Sequence, residues 1–242
     1  MKALTFAKRN FKEIVRDPIS LVFCFILPLF LLFIFQQFQI PDEVYKLENF
    51  APGIIIFSFG FISLFGSQLI AKDRSTSFLT RLFSSPLKVS DYILGYTISL
   101  VPVAFLQSLI FLIAAILLGM TFSINIIYTL LISIFLSLMF IALGILIGCT
   151  FTEKQAPGFG SIVIQLIAFT SGLWFSIDTV SGAFKAICEI LPFKYTVDLA
   201  RYSLSGNFTD ALKPILMVIG FTILIYFLAV YIFKKKMTSD SK

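Results

Sequence analysis

The chain has 242 residues, of which 58% are hydrophobic and only 13% charged, with a mean hydropathy of +0.98. Soluble domains carry about 25% charged residues, so this composition cannot cover a water-facing surface, and the bilayer has to be the solvent. The sequence has no His and no G-x-x-x-x-G-K-[ST] run, which removes the commonest general base and metal ligand together with any P-loop for ATP, and its three Cys (Cys24, Cys149, Cys188) stand too far apart to suggest a disulfide framework.

Taken in chain order, residues 1–18 come first, with a helix expected over 3–18. Leu4, Ala7, Phe11, Ile14, Val15 and Pro18 fall on one helical stripe, with Lys2, Lys8, Arg9, Lys12 and Arg16 beside it; Phe6 breaks the pattern. A basic amphipathic helix of this kind lies in the membrane interface, because Arg9, Lys12, Glu13, Arg16 and Asp17 cannot enter the bilayer core cheaply. A cleaved signal peptide is excluded: the following apolar stretch is too long and no A-x-A site follows it.

Charge-free runs then mark the spans. They cover 24 residues from Pro18 to Pro41, 23 from Asn49 to Ala71, 61 from Tyr92 to Thr152, 23 from Gln155 to Ile177 and 20 from Pro214 to Phe233. A spanning helix needs about 20 apolar residues, so four runs hold one helix each. The long run holds two, broken at Gly119–Asn125, where Gly, Ser and Asn offer a turn. The expected fold is an all-α membrane protein with six transmembrane helices, forming a single transmembrane domain over 1–242. With both termini inside, 14 of the 19 Lys and Arg fall on the cytoplasmic side. The net charge of +6 reads as topology and contact with anionic lipid, not as nucleic-acid binding.

Two segments outside the spans carry information. Residues 72–91 form the one sizeable cytoplasmic loop. Thr76 or Ser77 can cap a short helix there, Phe78, Leu79, Leu82 and Phe83 form an apolar stripe flanked by Arg74 and Arg81, and Pro86 ends it. Such a stripe rests either on a partner or on the bilayer surface. Residues 178–213 form the longest external segment and fit two short amphipathic helices split at Pro192, lying on or dipping into the outer leaflet. Gly144 and Gly148 form a GxxxG suited to close packing within the chain.

The spans hold no acid or base of the usual kinds. Their polar residues are amides and hydroxyls, among them Gln36, Gln37, Gln68, Gln107, Gln165, Ser58, Ser63, Ser67, Thr170 and Ser171. Such a lining can pass an amphipathic molecule but cannot power its movement, because ion coupling needs intramembrane charge. Power has to come from another chain, or the protein is a passive channel or a structural element.

Arg9 through Arg16-Asp17-Pro18, Lys72-Asp73-Arg74-Ser75-Thr76 followed by Leu79, Leu82 and Ser85-Pro86-Leu87, then Ser171–Phe175 and Leu191-Pro192-Phe193…Asp198…Arg201…Gly206, come in an order that resembles the type-2 ABC transporter permeases, in particular their drug-exporter branch, which includes the daunorubicin-resistance permeases. Ser75 stands where the family usually has Gly. The resemblance covers nearly the whole chain. It implies a multi-pass half-transporter in a bacterial plasma membrane that binds no cofactor itself. It would form a two-fold dimer seamed between the first and fifth spans and work with two copies of an ATP-binding subunit that carries ATP and Mg. It implies an ATPase-coupling role for Arg74, Thr76, Phe78, Leu79, Arg81, Leu82, Phe83 and Pro86. It implies a substrate path past Gln68, Gln165, Phe169, Thr170 and Trp174, and an external hairpin marked by Pro192, Asp198 and Arg201. The expected function is export of an amphipathic or lipophilic substrate: a drug, a peptide or a lipid-linked molecule. A sensor or immunity component that moves little substrate is the alternative.

Overall fold

The computed structural model describes residues 2–38, 40–76 and 89–239, and every regular element among them is helical. The helices are α1 (Lys2–Val15), α2 (Pro18–Gln37), α3 (Leu47–Ser75), α4 (Val89–Leu117), α5 (Asn125–Thr150), α6 (Ala156–Thr170), α7 (Gly182–Ile190), α8 (Pro192–Ser205) and α9 (Leu212–Ser239). Single 3-10 turns stand at Glu43–Tyr45 and Ile177–Thr179.

Five helices, α2, α3, α4, α5 and α9, are long and apolar enough to cross a membrane. The expected span from Gln155 to Ile177 is helical only over the 15 residues of α6. At 1.5 Å per residue α6 is about 22 Å long, short of the roughly 30 Å hydrocarbon core. Its continuation leaves helical geometry after Ser171, where Gly172 has φ +77°. The turn between the fourth and fifth helices falls where Gly119 was expected to allow it: Gly119 has φ +112°, a conformation open to glycine at little cost. The segment expected outside the membrane splits at Pro192, which starts α8.

At the boundary of α1 and α2, Asp17 accepts a hydrogen bond from the Ser20 amide, and Pro18 takes the first helical position, where its missing N–H costs nothing. The R-D-P triplet is therefore a helix start.

The core is built around α3. In its most apolar stretch 89% is buried, against 22% for α2 and for α9. α2, α4, α5 and α6 pack around it, α9 packs instead on α5 and α8, and α1 lies on α4. The GxxxG brings α5 backbone-close to α3. A Cβ on Gly144 would lie 2.7 Å from the Ser63 carbonyl oxygen, and one on Gly148 would lie 2.7 Å from that of Ser67. In lipid, where apolar contact with a neighbour gains little over lipid, this close approach supplies the packing.

Two sequence readings change. On α1 the stripe Leu4, Ala7, Phe11, Ile14, Val15 and Pro18 is divided: Ala7 is buried, Phe11 and Ile14 are half-buried against the core, and Leu4, Val15 and Pro18 are exposed. Leu4 is 64% exposed, whereas Phe6 is buried edge-on against Tyr92 and Tyr96 of α4, with Ala7 and Asn10 buried beside it. The helix presents two apolar edges, and aromatic geometry selects the one carrying Phe6. Gln107 does not line a path. Pro28 inside α2 has no N–H for the Cys24 carbonyl, and the Gln107 side-chain amide of α4 fills that place at 2.9 Å.

Candidate coupling junction and substrate cleft

Successive residues on a helix point about 100° apart, so four in a row face all round it. The last four residues of α3 use this to touch several neighbours. Lys72 Nζ donates to Glu13 Oε1 of α1 at 3.0 Å. Asp73, 1% exposed, accepts from Arg9 Nη1 of α1 at 2.7 Å and from Tyr96 Oη of α4 at 2.8 Å. Arg74 Nη1 donates to the carbonyls of Gly148 at 2.8 Å, Cys149 at 2.7 Å and Phe151 at 3.2 Å, at the C-terminal end of α5. Ser75 Oγ meets Glu153 Oε2 at 2.5 Å. The end of α3 is thus tied to α1, α4, α5 and the link into α6.

A third ion pair, Arg9 to Glu13 at 2.6 Å, closes the network on α1. Burial works against the Arg9 charge, but the Asp73 carboxylate more than offsets it and leaves the guanidinium pKa above its ordinary value. The Thr76 hydroxyl donates to the Lys72 carbonyl at 3.0 Å, and the helix that Thr76 or Ser77 was expected to cap lies outside the described residues. Of the expected coupling residues, Phe78, Leu79, Arg81, Leu82, Phe83 and Pro86 lie outside the described residues. Asp73, Arg9, Glu13 and Tyr96 were not among the expected site residues. The signal was present, because the R…R-D-P and K-D-R patterns hold both charges of the central pair.

Beside this junction a cleft of about 560 Å³ opens between the α1–α2 boundary, α3 and the start of α6. Phe65, Leu69 and Ile14 give it apolar wall, and Gln68, Arg16, Lys72 and Glu153 stand among its lining residues. From there one face of α6 runs away exposed: Phe159, Ile162, Gln165, Leu166 and Phe169, the last 54% exposed. Thr170 is buried, and its hydroxyl is held by the Leu166 carbonyl at 2.6 Å. Trp174 sits at the opposite end among Phe35, Phe50 and Phe57, and its carbonyl accepts from Tyr45 Oη at 2.8 Å. The five expected path residues are therefore strung along the molecule rather than gathered in one pocket.

At that far end Arg201 acts as a clamp. Its Nε donates to the Asn49 carbonyl at 3.0 Å and its Nη2 to the Gly172 carbonyl at 2.9 Å, joining α8 to the start of α3 and to the segment after α6. Burial lowers the Arg201 pKa, with Asp198 opposing. Burial also raises the Asp198 carboxyl above its usual range, with Lys194 and Arg201 opposing. Pro192 is buried at the start of α8.

Several apolar helices run along the chain, a short amphipathic helix precedes them, and a polar junction sits at the end of α3. The family model for the ABC-2 type transporter matches residues 2–205, most of the chain and all of these features except the last span. The chain belongs to the ABC-2 type transporter family. No curated protein matches it significantly. As an ABC-2 membrane domain it is a multi-pass permease component of an ABC transporter, not an ATPase, and its family implies an ATP-binding partner.

Proposed function

We propose that this ABC-2 permease is one half of an exporter: two copies pair with two ATP-binding subunits, and ATP hydrolysis there drives an amphipathic or lipophilic substrate outwards. The observation that carries this reading is the exposed α6 face that holds Gln165, with Gln68 in the lining of the cleft at the start of that helix. An amide costs free energy against hydrocarbon unless it finds a partner, so Gln165 on an otherwise apolar face suits a substrate path or a second copy better than lipid. Charge at the mouth and aromatic wall along the path suit a molecule with a polar head and an apolar body. The drug-exporter branch is the subfamily this reading favours. Both termini are cytoplasmic in it, and the 178–213 hairpin faces the outside.

In this reading the four residues ending α3 transmit the motion. The segment carrying Phe78, Leu79, Arg81, Leu82, Phe83 and Pro86 follows directly and docks on the ATP-binding subunit. A push there reaches α1 and α4 through Asp73 and reaches α5 through Arg74. The test uses the purified complex and a panel of one lipophilic dye, one amphipathic peptide and one polyprenyl-linked sugar. Gln165→Leu changes which of them stimulates ATP hydrolysis while the assembly stays intact. An unchanged profile in Gln165→Leu, Gln68→Leu and their combination refutes the path.

A further inference from the structure

A groove of about 590 Å³ runs between α1 and α4, separate from the cleft described above. Leu4, Ala7 and Phe11 form one wall and Ile98 and Pro102 the other, with Lys8 at its edge. This volume lies within the roughly 300–1,000 Å³ of small-molecule sites. A second hollow of about 560 Å³ shares Lys8 and Thr5 with the groove and is rimmed by Lys12 and Arg16. The one carboxylate in that rim, Glu13, is already engaged by Arg9 at 2.6 Å and by Lys72 at 3.0 Å. Lys8 and Lys12 take no ion pair among the described residues, so the hollow holds uncompensated positive charge next to an apolar slot.

We infer that this pair of hollows binds one anionic phospholipid, its phosphate at Lys8 and Lys12 and an acyl chain in the groove between α1 and α4. Charge complementarity selects the occupant: a zwitterionic lipid brings no net charge to two unpaired ammonium groups, and a free phosphate leaves the apolar slot unfilled. The inference rests on the reading that α1 lies at the cytoplasmic interface, where anionic lipid is concentrated. A lipid so placed wedges against the α1 face next to Arg9 and braces the Arg9–Asp73 contact.

The test places a fluorescent reporter at the groove, Leu4→Trp with Trp174→Phe, in the full chain in nanodiscs. Quenching by brominated phosphatidylglycerol is compared with quenching by brominated phosphatidylcholine. The expected preference for phosphatidylglycerol is about tenfold or more, since each nearby lysine is worth about fivefold. Lys8→Gln with Lys12→Gln brings the preference to near one, and Ile98→Phe, which narrows the slot without touching charge, reduces it severalfold. Millimolar inorganic phosphate leaves it unchanged. Equal quenching by the two lipids, a preference indifferent to Ile98→Phe, or displacement by inorganic phosphate would each overturn the site. None of these outcomes bears on ATP-driven transport, so the export reading fails or stands separately.

Discussion

Replacing Arg9 with Gln should release α1 from α4 and loosen the end of α3. Asp73 is 1% exposed and accepts from Arg9 at 2.7 Å and from Tyr96 at 2.8 Å. Removing the guanidinium leaves a buried carboxylate with a phenol as its remaining described partner. Breaking a fully buried pair costs about 3–5 kcal/mol. The Arg9 side chain is 36% exposed, so solvent screening reduces this to about 2 kcal/mol. The free energy appears as local opening of α1, because this helix packs mainly on α4. Ala7 is buried in that contact and all three native Cys are buried, so an Ala7→Cys probe reports the opening to a maleimide. Labelling should accelerate about 30-fold in Arg9→Gln, the population change that 2 kcal/mol brings. Asp73→Asn in the same background makes the pair neutral and should recover most of that change, because an amide can donate to an amide. Unchanged labelling in Arg9→Gln, or a double variant with additive losses, would show that the pair does not hold α1.

Three further outcomes are expected. Gln107→Leu leaves the Cys24 carbonyl without a donor and should lower stability in detergent by about 1 kcal/mol, and Pro28→Ala in that variant should restore it by supplying the missing backbone N–H; a melting curve reads both. Burial makes the folded chain protonate Asp198 at a higher pH than the unfolded chain does, so its contribution to stability falls as pH rises from about 3.9 through the raised folded value; Asp198→Asn should remove that part of the slope in a pH series of melting curves. Phe78→Ala with Leu82→Ala should weaken pull-down of the ATP-binding subunit at least about tenfold without altering insertion, and wild-type binding would mean that this stripe rests on lipid.

The sequence carried the spans well, because a charge-free run of 20 or more residues has few alternatives in a bilayer. It carried less well what depends on partners. Phe6 looked like a flaw in an amphipathic stripe, since the aromatic pair that receives it, Tyr92 and Tyr96, is more than 80 residues away. Gln107 looked like a lining residue because nothing local says that it answers a proline in another helix. The length of α6 was overstated because Ser171–Phe175 is as free of charge as the helix before it, and only the backbone conformation at Gly172 marks the end. Asp73 was readable as part of a K-D-R pattern, yet its burial depends on Arg9 arriving from a separate helix. Arg201 was picked out by pattern, and its two carbonyl partners, which explain why an arginine stands there, come from other segments.

The central claim is that this permease moves its substrate only under the drive of a separate ATP-binding subunit. Inside-out vesicles holding the chain with and without that subunit, given the same dye, peptide and lipid-linked sugar, measure it directly. ATP-dependent uptake of at least one of the three into the lumen is expected, present only when both subunits are there and lost with Phe78→Ala and Leu82→Ala. Uptake of the same probe by the permease alone without ATP would contradict it.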